Sequence, residues 1–115
     1  MEMKLKLTPY GGFHVVMDNG VTLSVQIGPG TYSDNHNAHL PAAMQRGGLP
    51  ASSTAEIAVW LKDYDMTELP NGDTVAGRVP AERVFSMIPD LLTLEAPTED
   101  EMVAVVGRYL EHMES

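Results

Sequence analysis

The sequence predicts an α+β fold: a mainly antiparallel sheet of four to five strands, two C-terminal helices on one face, and a long loop. Three observations carry this. Period-2 alternation of apolar and polar residues recurs before residue 80, the signature of strands with one buried face. Helical spacing replaces it after residue 80. Between about Gly28 and Ser53 neither period is present, which marks a long loop.

Met3-Lys-Leu-Lys-Leu7 alternates apolar with basic and reads as a half-buried strand. Thr8-Pro-Tyr-Gly-Gly12 breaks it, and Phe13 to Met17 forms a second β-prone run. Asp18-Asn-Gly20 then precedes seven alternating residues, Val21 to Ile27. Asn-Gly between two such runs signals a two-residue type I′ hairpin, because both residues tolerate positive φ. That register sets Asp18 opposite Val21, Val16 opposite Leu23 and His14 opposite Val25. Cross-strand partners share a face, so His14, Val16, Val21, Leu23, Val25 and Ile27 are expected in the core. Phe13, Val15, Met17, Thr22, Ser24 and Gln26 are expected on the other face, partly covered by a helix or a second subunit.

In the loop, Leu40 to Gln45 could form a short helix. Thr54 to Leu61 is a strand with Ala55, Ile57, Val59 and Leu61 on one face and Glu56, Ala58 and Trp60 on the other. Trp60 either closes a second small core under a helix, the favoured reading, or anchors a partner. A weak strand is expected at Met66–Leu69, and an edge strand at Thr74–Val79 after the Pro70-Asn-Gly-Asp73 turn. Pro80 suits the first position of a helix, where a missing N–H costs nothing. Val84, Phe85, Ile88, Leu91 and Leu92 form its apolar stripe, with a break or kink near Ile88 from Pro89. Ala96-Pro97 links to a second helix. Thr98 and Glu101 there have capping-box spacing, and Met102, Val105, Val106, Tyr109, Leu110 and Met113 form a continuous stripe.

The 115 residues suit a single domain over residues 1–115. Seven basic residues stand against 16 acidic ones, a net charge of -9, which argues against nucleic-acid or anionic-membrane partners. The chain has no cysteine, which excludes disulfides, thiol nucleophiles and thiolate metal sites. No apolar run is long enough to span a membrane, and the first residues lack the long apolar core of a secretory signal.

Several residue groups have chemistry worth weighing. Asp34, His36 and His39, with Glu56 as a fourth donor, are zinc-ligand types, but they sit in a polar loop of turn formers. No metal or other cofactor is therefore expected. Ser24, Ser33, Ser52 and Ser53 could pair with a histidine and an acid in a small hydrolase, but no nucleophile elbow is present. Gly28-Pro-Gly30 lacks the Lys-Ser/Thr of a phosphate loop. The adjoining segment, Thr31, Tyr32, Ser33, Asp34, Asn35, His36 and Asn37, sets hydroxyl, amide and backbone donors beside a hairpin. It is the candidate site for a ligand or partner, including a nucleotide-like signal to be sequestered. Acidity is uneven: Glu2, Asp18 and Asp34 are the only acids before Glu56. Asp90, Glu95, Glu99 and Asp100 form a candidate acidic partner surface that could imitate a row of phosphates. The plainer account is a solvated, capped helix start.

Asp18-Asn-Gly20 into Val21-Thr-Leu-Ser-Val-Gln-Ile-Gly-Pro-Gly-Thr-Tyr-Ser-Asp34, then Ser53-Thr-Ala-Glu-Ile-Ala-Val-Trp60, Val75-Ala-Gly77 and Pro80-x-Glu82, resembles small uncharacterised accessory proteins of bacteriophages and prophages. The resemblance covers about residues 13–92 and leaves out the terminal capped helix. It implies a non-enzymatic protein in the bacterial host cytoplasm that binds and inhibits or modulates a host protein, such as a component of antiviral defence. A homodimer is a further option.

Overall fold

The computed structural model describes residues 2–9, 11–27, 51–62 and 65–111. The element order is β1 (Met3–Thr8), β2 (Gly12–Met17), β3 (Val21–Gln26), β4 (Thr54–Leu61), β5 (Ala76–Pro80), α1 (Ala81–Leu92) and α2 (Glu99–Leu110). Among the described residues, five strands form one antiparallel sheet in chain order, with β1 and β5 at its edges. The α+β architecture and the C-terminal helix pair are as the sequence predicts. The expected loop helix at Leu40–Gln45 and most of the 28–53 loop lie outside the described residues.

The β2–β3 register differs from the expectation by one residue. Val15 opposes Leu23, Val16 opposes Thr22 and His14 opposes Ser24. Extending this register leaves Asp18, Asn19 and Gly20 as a three-residue turn, closed by Gly20 N–H donating to the Met17 carbonyl at 3.1 Å. Gly20 has φ +96, while Asn19 does not share a positive φ. The turn is therefore a type I turn followed by a glycine bulge, not a type I′ pair. Because side chains alternate, the one-residue slip moves β2 to the opposite face. Val15 and Met17 are buried with Val21, Leu23 and Val25, and His14 and Val16 face the other way.

Asn19 also explains why this turn prevails. Its side-chain amide donates to the carbonyls of Leu91 at 2.8 Å, which also accepts from Leu94 N–H, and of Leu94 at 2.9 Å, just beyond the end of α1. The interaction joins the hairpin tip to the helical layer, a constraint that a hairpin rule does not contain.

α1 starts after Pro80, which serves as its N-cap and as the last residue of β5. Of the break or kink expected near Ile88, the break is absent: one helix continues through Pro89 to Leu92. The ring of Pro89 leaves the carbonyl of Phe85 without its helical donor. Phe85 lies on the outer side of the helix, 62% exposed, where water can take that carbonyl. Ile88 and Leu91 are buried on either side of the proline and hold the last turn down. Phe85 thus leaves the expected apolar stripe, and Met87 takes its place in the core.

α2 follows the 93–98 link and packs against α1. Its start has the expected capping box: Thr98 Oγ1 accepts from Glu101 N–H at 3.2 Å, and Glu101 Oε1 accepts from Thr98 N–H at 3.1 Å. Its end is held by Arg83 of α1, which donates to the carbonyls of Tyr109 at 2.9 Å and Glu111 at 2.6 Å. Met102, Val105 and Val106 are buried, and Tyr109 and Leu110 pack at the core margin. Met113 lies outside the described residues.

Met66–Leu69 is not a strand. Thr67 and Leu69 are buried and Met66 and Glu68 exposed, so the expected alternation is present. Thr67 N–H reaches the Val59 carbonyl at 2.9 Å, but Leu69 N–H turns to Asp73 at 2.8 Å, and no ladder forms. The last strand begins at Ala76 and extends through Pro80, two residues later than expected at its start. No helix of the described residues is long and apolar enough to cross a membrane.

Candidate functional site

The cross-strand registers align side chains in rows that run across the sheet. On the helix-covered face, one row is Leu5, Val15, Leu23 and Val59, and the next is Leu7, Phe13, Val25 and Ile57. α1 packs on β3, β4 and β5, so these rows are covered at one end only. Val15 is 1% exposed, while its neighbour Leu5 is 72% exposed. Leu7 is 89% exposed and Met3 50%. The half-buried reading of β1 is thereby corrected: its apolar side chains stand in water beyond the helical layer.

The backbone of β1 is open on the same side. Asp18 N–H donates to the Glu2 carbonyl at 3.0 Å, which fixes the alternation of inward-bonded pairs along β1 and β2. Lys4, Lys6 and Thr8 therefore exchange bonds with Val16, His14 and Gly12. Met3, Leu5 and Leu7 turn their N–H and C=O groups to the outer edge, where no described residue meets them. Exposed apolar side chains and open main-chain groups thus belong to the same three residues.

The opposite face has polar rows: Lys4, Val16, Thr22 and Trp60; Lys6, His14, Ser24 and Ala58; Thr8, Gly12, Gln26 and Glu56. Strands lie about 4.8 Å apart, so side chains two strands away meet only over a small residue. Two such bridges form. Thr8 Oγ1 donates to Gln26 Oε1 at 2.9 Å across Gly12, and Gln26 Nε2 donates to Ser24 Oγ at 3.1 Å. A Cβ at Gly12 would stand 2.1 Å from the Val25 carbonyl and 2.6 Å from Gln26 Oε1, so only glycine fits there. His14 and Trp60 meet across β3, edge to face, with ring centroids 5.1 Å apart. The small side chains of Thr22 and Ser24 between them are 8% and 7% exposed.

His14, expected in the core, thus lies on this polar face. Burial, and then the charge of Lys6 beside it, hold its imidazole below the usual histidine range. Trp60 joins His14 on this face instead of closing a core under a helix.

The sequence-derived ligand segment, Thr31, Tyr32, Ser33, Asp34, Asn35, His36 and Asn37, lies outside the described residues, as does His39. Among the described residues no group of three His, Asp or Glu is placed to hold a metal ion. Of the acidic set, Glu95, Glu99 and Asp100 are exposed around the link between the helices. Asp90 is half-buried and accepts a short hydrogen bond from the Tyr109 hydroxyl. That bond, some burial and the negative charge of Asp90 raise the Tyr109 phenol above its ordinary range, against the opposing charge of Arg108. Asp90 therefore ties α1 to α2, and its carboxylate is less open to a partner than the other three.

Sequence reasoning missed the β1 edge. Lysines at alternate positions of a terminal strand were the available signal, since natural edge strands often carry lysine. No family model matches the chain, and neither a curated protein nor a solved structure matches it.

Proposed function

We propose that this chain is a non-enzymatic accessory protein that acts by binding another protein, with β1 as the contact edge. The observation that carries the reading is the coincidence, on Met3, Leu5 and Leu7, of exposed apolar side chains with an open strand edge. An edge strand of this kind favours strand addition by a partner. The resemblance to phage accessory proteins supports a host protein as the partner, inhibited or modulated in the bacterial cytoplasm.

The test is affinity purification from bacterial lysate with three baits: wild type, Leu5→Lys/Leu7→Lys, and Glu95→Gln/Glu99→Gln/Asp100→Asn. All five positions are exposed, so the variants should fold. A partner recovered with wild type and the acid-neutralised bait, and lost with the leucine variant, supports the reading. Loss only with the acid-neutralised bait moves the contact to the acidic end of the helices. The same proteins recovered with all three baits would overturn it.

A further inference from the structure

We propose that β1 takes, as an added sixth strand, an extended segment of its partner in which acidic and apolar residues alternate; this rests on β1 being the contact edge. The rows argued above fix the chemistry. A strand laid against β1 continues both faces of the sheet, so its side chains alternate between two environments. On one face they stand beside Met3, Leu5 and Leu7, all exposed and apolar. On the other they stand beside Lys4 and Lys6, neither of which is paired with a carboxylate among the described residues. Cross-strand pairs of opposite charge are favourable and like charges are not. The matching segment therefore has apolar residues at one parity and Asp or Glu at the other. The open main-chain groups of Met3, Leu5 and Leu7 supply its hydrogen bonds.

The same charges argue against a second copy of the chain as the occupant. Antiparallel self-pairing centred on Leu5, the register that brings all three outward residues into a ladder, sets Lys4 of each copy beside Lys6 of the other. A chain of net charge -9 has few basic surfaces. The lysine pair on β1, bounded at the start of the strand by Glu2 and Asp18, is thus a short cationic strip that an acidic strand can occupy beside Lys4 and Lys6.

The experiment uses end-blocked fluorescent heptapeptides with equal leucine content: alternating Glu and Leu, alternating Lys and Leu, and the Glu/Leu peptide N-methylated at every second residue, in both phases. Binding is followed by polarisation at low salt. The Glu/Leu peptide should bind about tenfold more tightly than the Lys/Leu peptide. Both N-methylated forms are informative: the phase that blocks the N–H groups facing β1 should lose binding, and the other should keep it. Lys4→Glu/Lys6→Glu should reverse the preference. Amide exchange of Met3, Leu5 and Leu7 should slow when the Glu/Leu peptide is present. Equal binding of the two charge types, lost in Leu5→Lys/Leu7→Lys, overturns the acidic assignment and leaves β1 standing as the contact edge. A dimer seen by sedimentation and abolished by Leu5→Lys/Leu7→Lys overturns it in favour of a second copy. Binding of none of the peptides overturns it outright, and loss of partner dependence on Leu5 and Leu7 in the lysate experiment would remove the underlying reading as well.

Discussion

Strands β1 and β3 have nearly the same pattern and opposite fates. Met3-Lys-Leu-Lys-Leu7 and Val21-Thr-Leu-Ser-Val25 both alternate apolar with polar, and Leu5 and Leu23 occupy the same row of the same face. Leu23 is fully buried and Leu5 is 72% exposed. The difference lies not in the strands but in what covers them. The helical layer sits over β3, β4 and β5 and its shelter ends at β2. Alternation specifies that a segment can pair as a strand with one apolar side. It does not specify how far the covering layer reaches.

The largest test of this comparison is a pair of matched truncations. Leu23→Ala removes a fully enclosed side chain and should cost about 2–5 kcal/mol. Leu5→Ala, one row-mate away, should change stability by no more than about 0.5 kcal/mol. Urea titration of both variants checks it. A loss at Leu5 comparable to that at Leu23 would show that β1 is covered in solution.

Gly12 tests the polar side of the same strands. Gly12→Ala puts a Cβ against the Val25 carbonyl and the Gln26 side chain, which must shift. The expected loss is about 1–3 kcal/mol, the range for overpacking. Thermal melting measures it. A neutral Gly12→Ala would mean that the Thr8–Gln26 bridge across β2 is not a fixed part of the sheet.

Asn19 tests what places the edge of the helical layer. Asn19→Ala removes the amide that bonds the Leu91 and Leu94 carbonyls; Leu91 keeps the bond from Leu94 N–H, and the Leu94 carbonyl loses this donor. The cost should be about 1–2 kcal/mol. Amide exchange should show the last turn of α1 opening first. Uniform destabilisation with no local opening would show that Asn19 acts through the hairpin turn alone.

These residues show where sequence reasoning stopped. The capping box of α2, the face assignment of β4 and the plan of an antiparallel sheet of four to five strands followed by two helices were legible, because each depends on contacts within one element or between neighbours. The β2 register was not. Asn19 and Gly20 were read as a free hairpin, while the structure uses Asn19 to hold α1, some seventy residues away in sequence. The continuity of α1 through Pro89 has the same origin: burial of Ile88 and Leu91 and the cap from Asn19 outweigh a local preference. The β1 site was missed because its exposure follows from how far a later helix pair reaches. The sequence-derived 31–37 segment lies outside the described residues.

The smallest effect separates the two faces of β2 by their response to acid. On the covered face Val15 is buried among hydrocarbon and has nothing to titrate. On the other, His14 is held below its ordinary pKa of 6.5 by burial and then by Lys6. The unfolded chain releases this histidine to its ordinary value. As pH falls through 6.5, the unfolded state therefore takes up a proton before the folded state does. The contribution to stability is present above that pH, shrinks as pH falls, and is fully lost below the folded pKa. The effect should be modest because the ring keeps contact with water. Melting temperatures from about pH 7.5 to about pH 5, above the range where ordinary carboxylates titrate, isolate it. Wild type should lose more than His14→Gln over this span. Lys6→Gln should fall between them, since it relieves the second cause of the shift and leaves the burial. An imidazole that titrates by NMR at or above 6.5, or an identical decline in His14→Gln, would remove both burial and Lys6 as effective influences and would mean that the His14–Trp60 roof over β3 is open to water in solution.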